Sequence, residues 1–507
     1  MKFVIRLHAE ITIKSKGVRK RYGKVLVNNL KKVLQRVDVG DASPLKVQWC
    51  WDRIEVSTGA TDAEVAEQIS TELQRIPGIA WFSRSHELLL NDCQQADFDP
   101  ILNRVLELWS QRLAGQSFAV RVKRKGQHGF RSQDLERFIG GGILQQVGTS
   151  RVQLKQPDVE VRIEVDHDIV RIYGDKQAGL GGFPLPTQET VVSLLSGGFD
   201  SSVASFQLLR RGARTHFCFF NLGGDRHETG VRQTAYYLWE TFASSHPLKF
   251  VSIDFAPIVE EILTHVDNGL MGVVLKRQML RAAQIVAERL NVEALVTGEA
   301  LGQVSSQTLS NLRLIDEATE ALVLRPLITM DKQEIINLAQ QIGTADIARS
   351  MPEYCGVISV KPNVKAPRDE VLAAEAKLDP ELPMRVVLAA NIEEVAAIGA
   401  ATDEQVHPVS TVDAAQEDEI LIDIRSSEEQ EAQPLRIATG HTVLHIPFFK
   451  LARQFTELDQ DKHYLLYCDK GVMSKLQALY LHEQGHSNVG VYQPAKKVDA
   501  VTSKDST

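Results

Sequence analysis

Between Val191 and Ser201 the chain runs from an apolar stretch, Val191-Val192-Ser193-Leu194-Leu195, straight into Ser196-Gly197-Gly198-Phe199-Asp200-Ser201, and few folds accept that succession. A short apolar, β-branched run predicts a strand buried on both faces, as in a parallel sheet. The paired glycines let the main chain turn sharply and come close to a ligand. A helix opening near Asp200 then offers unpaired N–H groups and the positive end of its dipole, so a phosphate is the natural occupant. Strand and helix patterns alternate onward, at 215–220, 229–242, 249–254, 275–290 and 294–297. That alternation predicts a doubly wound parallel sheet with its ligand at the carboxyl ends of the strands.

The turn lacks the G-x-x-x-x-G-K-[ST] form, and with it the lysine that reaches a nucleotide's outer phosphates. It resembles the PP-loop of enzymes that split ATP between the α and β phosphates and adenylate a substrate.

At 507 residues the chain is long enough for three or four domains. Residues 1–62 read as strand, basic helix and strands, and 63–167 as further mixed α+β structure. The doubly wound region is expected over 176–385, an acidic linker, helical in parts, over 386–418 and a small α/β unit over 419–500. With no run of eighteen apolar residues and no signal-peptide core, a cytoplasmic protein without a membrane partner is expected. Five cysteines without a C-x-x-C pair argue against a disulfide scaffold or a zinc ribbon.

The net charge of −8 conceals an asymmetry, because 369–431 holds 17 acidic and 3 basic residues, which leaves the remainder net basic. Nine Lys/Arg and no acid lie between Lys14 and Arg36. Lys123, Arg124, Lys125 and Arg131 stand in a second acid-free segment. Cations interleaved with aromatics such as Tyr22 and Phe130 suit a phosphate backbone and splayed bases, which points to RNA.

Two cysteines invite chemistry. Cys468 ends the predicted strand 464–467 and precedes a glycine-containing loop whose N–H groups would surround a thiolate or persulfide. Asp469 would oppose that anion and Lys470 favour it. Cys355, in Met351-Pro352-Glu353-Tyr354-Cys355-Gly356, is expected on an exposed loop. Cys218 and Cys50 read as strand residues, and Cys93 carries no signal. Lys276 and the Gly298–Gln307 loop lie where a doubly wound sheet binds its ligand.

Together SLLSGGFDSS, CFFNLGG, MGVVLKRQMLRAA, LVTGEALGQVSSQT, LRPLI, MPEYCGVIS and YCDKGVMS resemble, in order and over essentially the whole chain, the bacterial tRNA 4-thiouridine synthetase (ThiI) family in its long form. The resemblance implies a multidomain α/β protein: an N-terminal ferredoxin-like domain, a THUMP RNA-binding domain, a PP-loop ATP pyrophosphatase domain and a C-terminal rhodanese domain. It further implies that Leu194, Leu195, Lys276, Gly298 and Gln307 contact ATP, that Ser196, Gly197, Gly198 and Ser201 cradle pyrophosphate, and that Asp200 acts through magnesium. Cys468 would carry a persulfide supplied by a cysteine desulfurase. Cys355 would resolve it by attacking the persulfide or the resulting mixed species, liberating sulfide or leaving a Cys355–Cys468 disulfide. The expected product is 4-thiouridine at position eight of tRNA, with a second role feeding a sulfur-carrier protein of thiamin synthesis. The THUMP architecture allows a homodimer in which one protomer holds tRNA for the other.

Other readings are an amidating PP-loop ligase, which gives Cys468 no task, thiolation at another base atom or position, and a tRNA-binding sulfur carrier with a vestigial ATP site, against which the intact SGGFDS argues.

Overall fold

The computed structural model describes the chain except residues 41–43, 51–52, 92–95, 223, 352–361, 405–409, parts of 417–483 and 495–507. Two compact units emerge, one made of 1–188 with 210–212 and the other of the remainder.

The first unit is built on one nine-stranded sheet. Its leading half comprises β1 (Lys2–Leu7), α1 (Lys16–Leu34), β2 (Lys46–Cys50), β3 (Arg53–Ser57), α2 (Ala63–Arg75) and β4 (Ile79–Leu89). The trailing half comprises α3 (Asp99–Leu113), β5 (Ser117–Lys125), α4 (Ser132–Gln146), β6 (Val159–Asp166) and β7 (Ile169–Tyr173). The strand order is β2-β3-β1-β4-β7-β6-β5, with two-residue strands at Arg151–Val152 and Gln177–Ala178 completing the nine.

The boundary expected near residue 62 falls later. Ile69 and Leu73 of α2 and Phe82 of β4 share one core with Phe3, Ile5 and Leu26. A second core gathers Leu102, Trp109, Phe118, Ile139 and Ile163. The amphipathic face of α2 cannot be buried without β1 and β4, which is why a cut at 62 would divide a core.

The second unit contains the expected doubly wound sheet. It comprises β8 (Gln188–Leu194), α5 (Phe199–Arg210), β9 (Ala213–Asn221), α6 (Gly224–Phe242), β10 (Lys249–Asp254), α7 (Met271–Arg289), β11 (Ala294–Val296), β12 (Leu322–Leu324) and α8 (Lys332–Gln341). The order β12-β11-β8-β9-β10 is parallel where β11 pairs with β8 and β12 and where β9 pairs with β10. Phe217 to Phe220 are all buried in succession, the mark of a strand covered on both faces.

The linker expected over 386–418 is corrected in part. Within it β13 (Asn391–Glu394) pairs antiparallel with β10, in register Val251↔Ile392, which is the departure, and α9 (Val395–Glu404) supplies the helical part expected. Gly399 lies so close to Tyr236 of α6 that a Cβ there would fall 2.5 Å from the ring. Arg232 of α6 binds Glu393 at 2.5 Å. The acidic composition hid a segment in which Val395 and Ile398 are buried and Ile392 packs half-buried against the sheet's core.

The C-terminal part of the second unit starts before the expected residue 419, since β14 (Thr411–Val412) pairs with its last strand. With β15 (Ile420–Asp423), β16 (Val443–His445), β17 (Tyr464–Tyr467) and β18 (Val489–Tyr492) it forms a sheet of order β14-β18-β17-β15-β16, in which neighbouring strands run parallel throughout. Among the described residues no helix is long and apolar enough to cross a membrane.

Candidate functional site

At the carboxyl end of β8 the loop is braced by its own serines. The Ser196 N–H donates to Ser201 Oγ at 3.1 Å, and the hydroxyls of Ser201 and Ser202 donate to Gly198 O at 3.3 and 2.8 Å. Gly197 has φ +78, a conformation other residues rarely adopt. Leu195 is buried and its N–H bonds Cys218 O at 2.9 Å, while Leu194 is half-buried at the strand end. From α6, buried His227 sets Nε2 3.3 Å from Ser196 O. A carbonyl only accepts, so Nε2 carries the proton. Burial pushes this imidazole below its ordinary range despite that bond.

Asp200 does not face open solvent. Lys332, at the start of α8, contacts its two carboxylate oxygens at 2.8 and 3.0 Å, and Gln303 Nε2 donates at 2.9 Å. The cation that the turn's own motif lacks thus arrives from 132 residues downstream. Sequence reasoning missed Lys332. Its one local signal is the capping box Asp331–Glu334 that starts α8.

Gly298 packs against the loop itself. A Cβ there would stand 2.6 Å from Asp200 C, 2.7 Å from Ser201 N and 2.8 Å from Asp200 O. Beside it, Glu299 is buried between Lys276 (2.7 Å) and Arg325 (2.8 Å), and Arg325 also holds Asp316. Burial alone would raise the Glu299 carboxyl, yet Lys276 and Arg325 hold it below the usual range. Lys276, expected to meet ATP, is therefore aimed by a carboxylate that a second cation neutralises. Gln307 is also buried, and among the described residues its Oε1 has no hydrogen-bond partner. A buried acceptor left open fits an incoming N–H donor such as an adenine amino group.

Met351, which opens MPEYCG, leans over the turn: its Cε would be 2.7 Å from a Cβ placed on Gly197. Cys355 and Cys93 lie outside the described residues, as do Asp469 and Lys470.

In the C-terminal unit, Cys468 follows β17. Its sulfur accepts the Ser474 N–H at 3.3 Å and lies 3.4 Å from the Ser474 hydroxyl, with Ser474 wholly buried. At the end of the neighbouring β15, Arg425 pairs with buried Asp423 at 2.7 Å and lies over the Tyr467 ring at 5.0 Å. Cys218 is buried as expected, whereas Cys50 is only half-buried.

The basic residues sort by exposure. Lys123 and Lys125 on β5 and Arg131 before α4 are exposed. Arg124 is half-buried over the Phe130 ring at 5.3 Å, and Phe130 in turn packs on Phe98. On α1 the cations face out and Leu26, Leu30 and Leu34 face in. Tyr22 is buried edge-on to Phe183, so it is not free to stack on a base.

Comparison with known proteins places this arrangement. Family models match in four segments: the ThiI ferredoxin-like domain at 2–83, the THUMP domain at 95–175, the thiamine biosynthesis protein (ThiI) at 186–379 and the rhodanese-like domain at 409–494. A tRNA sulfurtransferase of Shewanella loihica is 51% identical over 98% of this chain and all of that protein, and one of Shewanella halifaxensis is 52% identical over 97% and all. The chain belongs to the tRNA sulfurtransferase family. A crystal structure of a 4-thiouridine synthetase–RNA complex with bound ATP covers 78% of this chain and 99% of its own at 26% identity, with a TM-score of 0.66. A Pyrococcus horikoshii structure at 20% identity and TM-score 0.50 shares the fold. The family bears out the multidomain reading and the enzyme class, tRNA sulfurtransferase.

Proposed function

We propose that the chain thiolates the uridine at position eight of tRNA at C4, drawing sulfur from a persulfide on Cys468. The Ser196–Ser201 cradle, with the open Gln307 acceptor beside it, takes ATP. The uracil C4 oxygen attacks the α-phosphate and pyrophosphate leaves. The terminal sulfur of the Cys468 persulfide then attacks C4 and AMP departs with the oxygen. The thiolate of Cys355 attacks the Cys468 sulfur of the resulting disulfide, releasing thiouridine and forming a Cys355–Cys468 disulfide that a two-electron thiol reductant reopens.

Each residue has a physical task. Oxygen is a poor leaving group until it carries AMP, and a persulfide is a nucleophile that passes its sulfur on while still bound to the protein. Lys332 and Lys276 supply cationic charge to phosphates, and the Ser474 N–H stabilises an anion at Cys468. Asp200 offers one carboxylate beside the cradle, the way magnesium is commonly held together with substrate phosphates, where it would offset their charge. Lys123, Arg124, Lys125 and Arg131 bind the tRNA backbone. A cysteine desulfurase loads Cys468, and the same persulfide serves a thiamin-pathway sulfur carrier.

The observation that carries this reading is that one unit holds both an anion cradle with an open buried acceptor and a cysteine whose sulfur accepts the Ser474 N–H. The test is tRNA-dependent ATP–pyrophosphate exchange together with thiouridine absorbance. Asp200→Ala should abolish both, and unchanged thiolation would sink the adenylation assignment.

A further inference from the structure

Helix α6 touches, in succession, three parts that the proposed reaction uses in turn. His227, near its start, meets Ser196 of the PP-loop. One turn on, Gly230 receives the thioether of Met351, the residue that opens the Cys355 segment. One turn further, Gln233 Oε1 accepts a hydrogen bond from Gln477 Nε2 at 3.3 Å. Gln477 lies three residues past Ser474, and both have helical backbone. Ser474 is the residue whose N–H holds the Cys468 sulfur.

This last contact joins the PP-loop and rhodanese parts of the second unit through two amides that are 5% and 6% exposed. Buried amides are costly unless hydrogen-bonded, and here the Gln477 Nε2–H is satisfied by the Gln233 carbonyl oxygen. Such a pair fixes register because it works at one relative position only. Being neutral, it adds little holding strength, so the contact can be broken and remade. His227 and Gln233 are six residues apart, about 9 Å along the helix axis, which seats Gln477 within two turns of the PP-loop contact.

We propose that the Gln233 segment of α6 is the delivery seat for this chain's own rhodanese unit, with the Gln233–Gln477 pair setting the register in which the Cys468 sulfur is presented. The proposal rests on the reaction given above and adds a docking surface to it. Leaving the seat returns Cys468 to its sulfur donor, and taking it brings the loaded loop to the adenylate.

The experiment uses the full-length chain and single-turnover thiolation from preloaded Cys468 persulfide. Gln233→Lys and Gln477→Glu each bury an unpaired charge, so each should slow transfer by about tenfold or more. The double variant pairs the charges and should recover most of the loss. Persulfide loading and tRNA-dependent pyrophosphate exchange should be unchanged in all three. With inorganic sulfide as donor, which needs no rhodanese unit, all three should thiolate like the parent chain. Parent-rate transfer in a single variant, or no recovery in the double variant, overturns the seat. Absence of exchange in the parent chain would instead overturn the reaction on which it rests.

Discussion

Replacing Gly298 with alanine should damage adenylation while leaving the fold intact. A Cβ at 298 would lie 2.6 Å from Asp200 C, whereas ordinary van der Waals contact begins near 3.4 Å, so the two backbones must separate by about 0.8 Å. Nothing flexible can give way, because all three nearest atoms are backbone at the start of α5. The displaced segment carries Asp200, whose carboxylate is set against Lys332 and Gln303. Misplacing reacting groups by about 1 Å costs on the order of a hundredfold, so a shift of about 0.8 Å should lower kcat/KM by about 10- to 100-fold, or about 1.4–2.7 kcal/mol of transition-state stabilisation. The assay is tRNA-dependent ATP–pyrophosphate exchange, with circular dichroism and persulfide loading of Cys468 as checks on the fold. Exchange within about twofold of the parent would refute the argument that Gly298 is needed for its closeness to the loop.

Cys468→Ala should lose all sulfur transfer from a desulfurase yet keep exchange, and Cys355→Ala should load persulfide on Cys468 but stop after one turnover. Radiolabelled sulfur followed into protein and tRNA separates the two, and multiple turnover by Cys355→Ala would remove that residue from the mechanism. His216 accepts the Lys249 N–H at 3.0 Å, and burial, helped by Arg214 and Lys249, pushes its imidazole down to about 4. Folded protein thus binds fewer protons than unfolded between about pH 4 and 6.5, and this group's contribution, at most about 3 kcal/mol, is full above 6.5 and lost as pH falls toward 4. Urea midpoints across that window should flatten in His216→Asn relative to the parent, and parallel curves would contradict the assignment. Lys123→Ala and Arg131→Ala should each weaken tRNA binding and reduce the slope of log affinity against log salt by about 0.7–0.9 for each phosphate the side chain neutralises. An unchanged slope would place tRNA elsewhere.

Much of this protein was legible in local pattern. Turn chemistry is local, so Ser196–Ser201 announced a strand, a sharp turn and a helix before any neighbour was known. Phe217–Phe220 read as a doubly covered strand, and Tyr464–Tyr467 ends at Cys468 as expected. The order of these pieces along the chain was enough to name the family.

What only the tertiary structure decided is which distant groups meet. Lys332 reaches Asp200 across 132 residues, and Arg325 and Lys276 share Glu299, because parallel strands bring their carboxyl ends to one edge regardless of separation in sequence. Gly298 reads in sequence as room for a ligand, and the fold adds that it lies against the loop's own backbone. Tyr22 has the composition of a base-stacking residue and the burial of a core one, since only packing tells the two faces of α1 apart. The acidic segment from 386 read as linker by composition, but strand pairing depends on backbone groups that every residue type carries. An open edge at β10 therefore recruited Asn391–Glu394 into the sheet, while the residue types at Cys468 and in the PP-loop had already declared the chemistry.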